Sequence, residues 1–196
     1  MNGIVIATMA EAHPFIEGMR LEQAAERPFR TYRGGVYTLI VSGIGKVNAA
    51  LASAALIREH NAQCVFNAGS AGALSPFLKL GDIRHISAVY EYDRRPQKGL
   101  PRRTGIMPGH AEAVLATADV PALSAEERQA AGRFADLADM EGAAVVRACG
   151  KYGIKAFLFK AVSDTSDTAA GDIIGNIEKV SLELFQYFEE KVMPHV

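Results

Sequence analysis

Candidate chemical groups stand at the end of one apolar run. Segment 155–167, KAFLFKAVSDTSD, is largely apolar as far as Val162 and then changes to Ser163 and Asp164. A short apolar run followed by turn residues is typical of a strand buried on both faces. In an open α/β sheet, ligands bind beyond the carboxyl ends of such strands. Asp164 is therefore the first candidate for carboxylate chemistry at a ligand, with Ser163 beside it. The alternative is that Asp164 only caps the following turn.

Three further acidic residues stand next to predicted helices. Glu11 lies at a predicted strand-to-helix junction, and Asp139 and Glu141 flank Met140 just before another predicted helix. A site that needs several carboxylates could draw on all of these segments. The alternative for each acid is structural, because a carboxylate near a helix N-terminus is stabilised by the helix dipole.

Glycine-containing turns after two predicted strands add another candidate. The segment NAGSAGAL (67–74) contains Ser70 among small residues, which let a ligand approach the backbone N–H groups closely. The Ser70 hydroxyl could donate a hydrogen bond to a ligand oxygen. The turn SGIG (42–45) superficially resembles a phosphate-binding loop, but neither GxGxxG nor GxxxxGKS is present. Without a GxSxG motif or a suitably placed histidine, the sequence predicts no serine nucleophile of the hydrolase type.

Strand-like and helical segments must bring these groups together. Strand-like patterns are found at 3–8, 36–41, 64–67, 83–90, 111–117 and 156–162. Helical patterns are found at 12–19, 47–60, 124–134, 173–192 and in a segment that ends near Gly150. The segment 124–134 opens with a capping-box pattern, Ser124 followed three residues later by Glu127.

Composition excludes several classes of protein. A chain of 196 residues that is 49% hydrophobic and 22% charged fits one globular domain with a full core. The net charge of −1 argues against a general nucleic-acid binder. Cys64 and Cys149 have no CxxC neighbours, so they are interpreted as buried thiols in a reducing compartment. The N-terminus lacks a signal-peptide pattern, and no apolar run approaches the about 20 residues of a membrane span. We therefore predict a cytoplasmic protein without membrane or nucleic-acid partners.

Taken in order along the chain, the motifs resemble one known family. The sequence is similar to the purine nucleoside phosphorylase/nucleosidase superfamily, and within it to the methylthioadenosine/S-adenosylhomocysteine nucleosidases. The matching stretches span most of the chain: ATMAEAHPFI (7–16), SGIGKVNAA (42–50), NAGSAGAL (67–74), LGD (80–82), DMEGAA (139–144) and KAVSDTSD (160–167).

The resemblance implies a fold, a reaction and residue roles. It implies a single α/β domain over residues 1–196, built as three layers with a twisted mixed sheet flanked by helices, and usually a homodimer. It implies hydrolysis of the N-glycosidic bond of a purine nucleoside without metal or cofactor. Asp164 matches the acid that protonates the purine, and Glu11 the carboxylate that activates water. Glu141 and Met140 match ribose contacts, and Ser70 matches a serine near the ribose and the water.

Phosphorolysis is the alternative reaction within this superfamily. The phosphorylases place an arginine where this chain has Asn67. A phosphate dianion without that guanidinium loses charge-assisted, bidentate hydrogen bonds, so we favour water as the nucleophile. A substitute cation could come from Arg20, Arg30 or Arg33, or from the basic segment 93–109. That segment is otherwise interpreted as a solvated loop.

Departures from the family pattern leave the substrate open. Lys160 stands where an arginine is usual, and Asp139 where a glutamate is usual. The segment between Thr117 and Asp139 is short, and the aromatic residue that stacks on adenine has no evident counterpart, which leaves Val120 and Pro121 to line the base. A futalosine-type nucleoside is an alternative substrate. A non-catalytic nucleoside-binding protein, which binds but releases no base, is the alternative from another class.

Overall fold

A computed structural model describes residues 1–93, 101–122 and 124–196, without the side chain of Ala170. Within these residues ten strands form one mixed sheet. They are β1 (Asn2–Ile6), β2 (Glu22–Ala25), β3 (Arg30–Gly34), β4 (Tyr37–Val41), β5 (Cys64–Ala73), β6 (Ile83–Glu91), β7 (Arg102–Arg103), β8 (Glu112–Thr117), β9 (Leu137–Asp139) and β10 (Lys155–Asp164). The α-helices are α1 (Met9–Gly18), α2 (Lys46–Arg58), α3 (Ala125–Gly132), α4 (Gly142–Lys151) and α5 (Ile173–Lys191).

The long strand β5 is the centre of the sheet. It pairs in parallel with β1 on one side and with β10 on the other, and its last residues pair antiparallel with β9. Further pairing of β10 with β6, β6 with β8 and β8 with β9 closes these strands into a ring. From β1 the sheet continues through β4 and β3 to β2. Because β1, β5 and β10 run parallel, their carboxyl ends meet at one edge of the sheet.

Helices cover both faces of the sheet, which explains why its central strands are largely apolar. Helices α2 and α4 supply buried residues such as Ala52 and Val145 to the core on one face. Helices α1 and α5 supply Phe15, Leu184 and Phe188 to the core on the other face. Strands buried on both faces read as continuous apolar runs rather than as alternating ones. The predicted three-layer α/β fold with a mixed sheet is confirmed.

Some predicted boundaries were wrong. Helix α1 begins at Met9 rather than at residue 12, because Thr8 and Glu11 form a capping box, and Pro14 therefore lies inside the helix. The predicted strand 64–67 continues to Ala73, since pairing with β10 holds the glycine-containing segment extended. The capping box that Ser124 and Glu127 form at α3 is confirmed. In the described part of the chain, no helix is both long enough and apolar enough to cross a bilayer.

Candidate active site

A cavity of about 200 Å³ lies at the carboxyl ends of β1, β5 and β10. The predicted site residues come from four separate chain segments, and the cavity brings them together. They are Glu11, Ser70, Met140, Glu141, Ser163 and Asp164. Apolar side chains from Ile44, Pro121, Ile173 and Ile177 form other parts of its wall. Of the two residues predicted to line the base, Pro121 lines the cavity, whereas Val120 is not among the lining residues and is exposed.

Glu11 combines a structural contact and a contact at the cavity. Its Oε2 accepts hydrogen bonds from Thr8 N (3.2 Å) and Thr8 Oγ1 (2.8 Å), which closes the capping box of α1. Its Oε1 accepts from Ser70 N (2.9 Å) and Ser70 Oγ (2.8 Å). The helix-end interpretation therefore accounts for one carboxylate oxygen only. The other oxygen is held beside Ser70, in the wall of the cavity.

The two carboxylates that flank Met140 have different environments. Asp139 accepts hydrogen bonds from Thr117 Oγ1 (2.6 Å) and from Gly142 N (2.8 Å), so it anchors the N-terminus of α4. Glu141 reaches instead toward the N-terminus of α2, where its Oε1 accepts from Gly45 N at 2.8 Å. The interpretation of a carboxylate that only stabilises a helix N-terminus thus fits Asp139 well. Glu141 differs, because it precedes α4 in the chain and its side chain reaches the N-terminus of α2 at the cavity wall.

Lys160 lies fully buried among these acids. Its Nζ is 2.9 Å from Asp139 Oδ2, and the ion pair is almost inaccessible to solvent. Burial opposes the charge of Lys160, but the nearby Asp139, Glu141 and Glu11 outweigh it and raise the lysine pKa. Gly69 keeps this cluster close, because a Cβ there would lie 3.1 Å from Glu11 Oε1 and 3.6 Å from Lys160 Nζ. The lysine and the shorter Asp139, both departures from the family pattern, therefore pair with each other.

Glu141 has a strongly perturbed acidity. Burial and the charge of Asp139 raise its pKa to about 7, against the opposing effects of Lys160 and of the Gly45 N–H. A carboxyl group that titrates near neutrality beside other acids is typical of functional sites.

The raised pKa predicts how the free energy of unfolding changes with pH. The folded state binds a proton at Glu141 more tightly than the unfolded chain does. The stability from this group is therefore complete below pH 4.5 and is lost as the pH rises through about 7. Glu141→Gln is neutral at every pH and keeps an oxygen for Gly45. Relative to the unmodified protein, we expect this variant to gain up to about 3 kcal/mol of stability between about pH 5 and 8.

Thermal unfolding of the unmodified protein and of Glu141→Gln, each at about pH 5 and about pH 8, measures this difference in stability. A gap in melting temperature that stays constant with pH would contradict the assigned titration of Glu141.

Asp164 is the last residue of β10 and is held from two sides. Ser163 Oγ donates to its Oδ1 at 2.8 Å, and Arg128 Nη2 donates to its Oδ2. A register shift between Val162 and Asp164, opposite Gly72, makes Ser163 an extra residue in the strand. Such a bulge redirects side chains, and here both Ser163 and Asp164 line the cavity. The next turn is held by Thr168 Oγ1, which accepts from Thr165 N, and not by Asp164.

Arg128 is the residue at this site that the sequence did not reveal. It lies on α3, 36 positions before Asp164, and its Nη1 also donates to Ala73 O at 2.9 Å. A helix with a capping box and mixed charges reads as a surface helix, and no motif links its arginine to Asp164. The pairing follows only from the way α3 packs beside the ends of β5 and β10.

The charge of the cavity wall is one-sided. Glu11, Asp139, Glu141 and Asp164 line it, and no lysine, arginine or histidine is found among the lining residues that the structure describes. Of the predicted basic segment 93–109, residues 94–100 lie outside the described part, and the exposed Arg102 and Arg103 form β7. The cavity therefore presents carboxylates and no cation of the described residues to a ligand, while Lys160 and Arg128 pair with two of these carboxylates from outside the lining.

Comparison with known proteins identifies the class. The chain matches the family model of the phosphorylase superfamily over residues 3–118 and 102–193. With most of its length matched, this chain belongs to the phosphorylase superfamily.

Particular relatives narrow the likeness. The chain is 32% identical over 227 residues to the 5′-methylthioadenosine/S-adenosylhomocysteine nucleosidase of Chromohalobacter salexigens. This match covers 97% of this chain and 91% of that protein. The chain is 25% identical to the aminodeoxyfutalosine nucleosidase of Campylobacter jejuni, over 96% of this chain and 98% of that one. The fold matches the Helicobacter pylori 5′-methylthioadenosine/S-adenosylhomocysteine nucleosidase with a TM-score of 0.89 at 22% identity, over 98% and 97% of the two chains.

Proposed function

We propose that this protein hydrolyses the N-glycosidic bond of a purine nucleoside that carries a 5′ substituent like those of 5′-methylthioadenosine and S-adenosylhomocysteine. The cluster of acids carries this proposal, because Glu11, Asp139, Glu141 and Asp164 all line the cavity. The cations that pair with two of them, Lys160 and Arg128, are not among the described lining residues. Loss of a purine leaves the ribose with oxocarbenium-like positive charge. Carboxylates that are fixed in advance around such a charge stabilise the transition state. The family membership and the named nucleosidase relatives support the same reaction.

The acids divide the work of the reaction in this proposal. Asp164 in its protonated form donates that proton to N7 of the purine, so that the base leaves as a neutral molecule, and Arg128 and Ser163 hold the carboxylate that remains. Glu141, beside Met140, accepts hydrogen bonds from the ribose hydroxyls and orients the sugar. Glu11 takes a proton from the attacking water. Ser70 Oγ donates a hydrogen bond to Glu11 Oε1 and so fixes the orientation of that carboxylate. Each positioned acid–base group of this kind contributes about 10²–10⁴-fold to the rate.

Water is favoured over phosphate because no cation lines the cavity in the described part of the chain. Asn67, at the position of the phosphorylase arginine, is 1% exposed, and its Nδ2 donates to Val5 O inside the sheet. Arg30 pairs with Glu26, and Arg33 contacts His60, both away from the cavity. Lys160 is already paired with Asp139. Among the described residues that line the cavity, a phosphate at the ribose would therefore face carboxylates and find no guanidinium to hold it.

The expected products decide between the two reactions. Purified protein incubated with 5′-methylthioadenosine, 5′-methylthioinosine and a futalosine-type nucleoside should release free purine and free sugar, at equal rates with and without phosphate. Chromatography of the products measures both. Accumulation of a sugar 1-phosphate would assign the protein to the phosphorylases. Tight binding of a nucleoside without release of any base would favour the non-catalytic alternative.

The futalosine-type nucleoside belongs in that test as a second candidate substrate. The observation that favours it is the match to the aminodeoxyfutalosine nucleosidase, which covers nearly all of both chains. Faster turnover of this nucleoside than of the two thioether nucleosides would reassign the 5′ substituent while keeping the reaction.

We also propose that the protein is a homodimer through one face of α2. Val47 and Leu51, four residues apart on α2, leave 71% and 56% of their surface exposed, and Ile44, just before the helix, leaves 56% exposed. Ile44 also lines the cavity, so a second copy packed on this face would shield the site from solvent. Exposed apolar patches of this kind mark association surfaces.

The expected mass in solution is that of two chains. Light scattering after gel filtration should report a dimer for the unmodified protein and a monomer for Leu51→Glu. The matched control is Val36→Glu, since Val36 is 57% exposed and lies before β4, outside this face. A monomeric unmodified protein, or a Leu51→Glu variant that remains a dimer, would contradict the proposed interface.

A cytoplasmic location remains part of the proposal. Neither Cys64 nor Cys149 is in a disulfide, and burial raises the pKa of the Cys149 thiol to about 12, which keeps it unreactive. Such unpaired thiols fit a reducing compartment. Fractionation of cells that produce the protein checks this, and recovery outside the cytoplasmic fraction would contradict it.

A further inference from the structure

Arg128 makes a buried contact with the proposed acid that none of the assigned roles explains. The side chains of Arg128 and Asp164 are 12% and 10% exposed, so both are largely removed from water. The guanidinium uses one N–H for Asp164 Oδ2 and another for Ala73 O. A guanidinium carries five N–H donors in a fixed plane and no acceptor. Arg128 therefore brings donors, and donors only, to the edge of the site.

The position of the ion pair puts it beside the purine. Asp164 lines the cavity of about 200 Å³, whereas Arg128 lines a neighbouring cavity of about 750 Å³. The two cavities are adjacent, because successive residues at the ends of β5 and β10 line one and then the other. Gly72 and Asp164 line the first cavity, and the residues that follow them, Ala73 and Thr165, line the second. The Arg128–Asp164 pair thus lies between the two cavities, with Asp164 as the wall of the first and Arg128 behind it. A base whose N7 faces Asp164 directs its neighbouring 6-substituent toward this wall.

The 6-substituent differs in hydrogen-bonding character between the two kinds of purine. Both present N7 as an acceptor on this edge, but adenine adds an amino donor at position 6, whereas a 6-oxopurine adds a second acceptor. Arginine commonly recognises such a pair of neighbouring acceptors. At this site, Asp164 delivers a proton to the first acceptor. Arg128 already occupies Asp164 Oδ2 and keeps further N–H groups that are not used by Asp164 or Ala73.

We propose that Arg128 makes this site select nucleosides of 6-oxopurines over those of 6-aminopurines. This inference rests on the proposed function and narrows the base of its substrate. A 6-amino group would compete with Arg128 for the same Asp164 Oδ2 and would place two donors against each other. A donor left without an acceptor in a buried site costs binding free energy, whereas a 6-oxo group gives the guanidinium an additional acceptor.

The test compares two nucleosides that differ only at position 6. With the unmodified protein, kcat/KM for 5′-methylthioinosine should exceed that for 5′-methylthioadenosine by about tenfold or more, the discrimination typical of a well-placed base contact. Arg128→Met should lower this ratio by about the same factor, by slowing the 6-oxo substrate rather than all substrates equally. Arg128→Gln should bring the ratio near one, because an amide can present either an oxygen or an N–H group.

Arg133→Met is the matched control. Arg133 is an exposed arginine at the end of the same helix, and it lines the neighbouring cavity without contacting Asp164. The 6-oxo to 6-amino ratio of this variant should equal that of the unmodified protein. A structural role of Arg128 alone, holding α3 against the strand ends, would change melting temperature in Arg128→Met without moving the ratio.

Binding of free bases provides a measurement that needs no turnover. Calorimetry should show that the unmodified protein binds hypoxanthine at least about tenfold more tightly than adenine, and that Arg128→Gln loses the difference. Equal or tighter binding of adenine by the unmodified protein would overturn the inference. So would a substrate ratio that Arg128→Gln leaves unchanged. If no nucleoside is cleaved, the proposed function fails by itself, and the free-base preference still decides the role of Arg128.

Discussion

Asp164→Asn is expected to lower the rate of base release by about 10²–10⁴-fold while the protein stays folded. Asparagine has the same shape as aspartate, and its amide oxygen can still accept a hydrogen bond from Arg128 or Ser163. The packing at the end of β10 therefore survives. The amide cannot deliver a proton to N7, so the purine must leave as an anion, which is the slow route for an unactivated base.

The kinetic comparison needs a substrate with an ordinary purine and a control from the same loop. Asp167→Asn is suitable, because Asp167 is exposed and lies three residues beyond Asp164, outside the lining of the proposed site. That control should keep normal turnover and a normal melting temperature. Near-normal turnover by Asp164→Asn would remove Asp164 from the role of general acid. A folded but inactive variant that still binds free purine would support the role.

Glu11→Gln is expected to lower kcat by about 10²–10⁴-fold and to leave substrate binding largely unchanged. The attacking water matters after the bond to the purine has begun to break, so its activation is felt mainly in the transition state. Glutamine keeps one oxygen, so it can still accept the Thr8 N–H and complete a capping box, but its NH2 group then faces the Ser70 N–H. The cost in stability should therefore include a buried N–H that loses its acceptor, about 1–3 kcal/mol.

A purely structural Glu11 makes the opposite prediction. It gives a lower melting temperature together with an unchanged kcat, and this result would refute the catalytic role. Paired melting curves, steady-state kinetics and inhibitor binding separate the two cases. Glu17→Gln is the control on the same helix, since Glu17 is exposed and contacts only the exposed His13 among the ion pairs of α1.

Much of the fold could be predicted from local pattern. Run 36–41 became β4, whose apolar composition is set by burial beneath α1 and α2, and run 83–90 became β6, which packs against α4. The amphipathic stripe of α5 became core, with Val180, Leu184 and Phe188 buried. Boundaries were less predictable where side chains close a helix end, as Thr8 and Glu11 do for α1.

The sequence by itself determined which residues are available for chemistry and in what order they follow. The end of the apolar run predicted Asp164, and the ordered motifs predicted Glu11, Ser70 and Glu141 as residues of one site. These predictions depend on neighbouring residues along the chain or on matched motifs, so a single sequence is sufficient to make them.

Only the tertiary structure decided what those residues contact. The pairing of Lys160 with Asp139 and of Arg128 with Asp164 joins residues that are far apart in sequence, and the raised pKa of Glu141 follows from burial beside Asp139. The bulge at Ser163 directs both Ser163 and Asp164 toward the same cavity, and it depends on the register between β10 and β5. Hydrogen bonds, desolvation and Coulomb interactions act over a few ångströms of space, and no spacing along the chain specifies which distant side chain occupies that space.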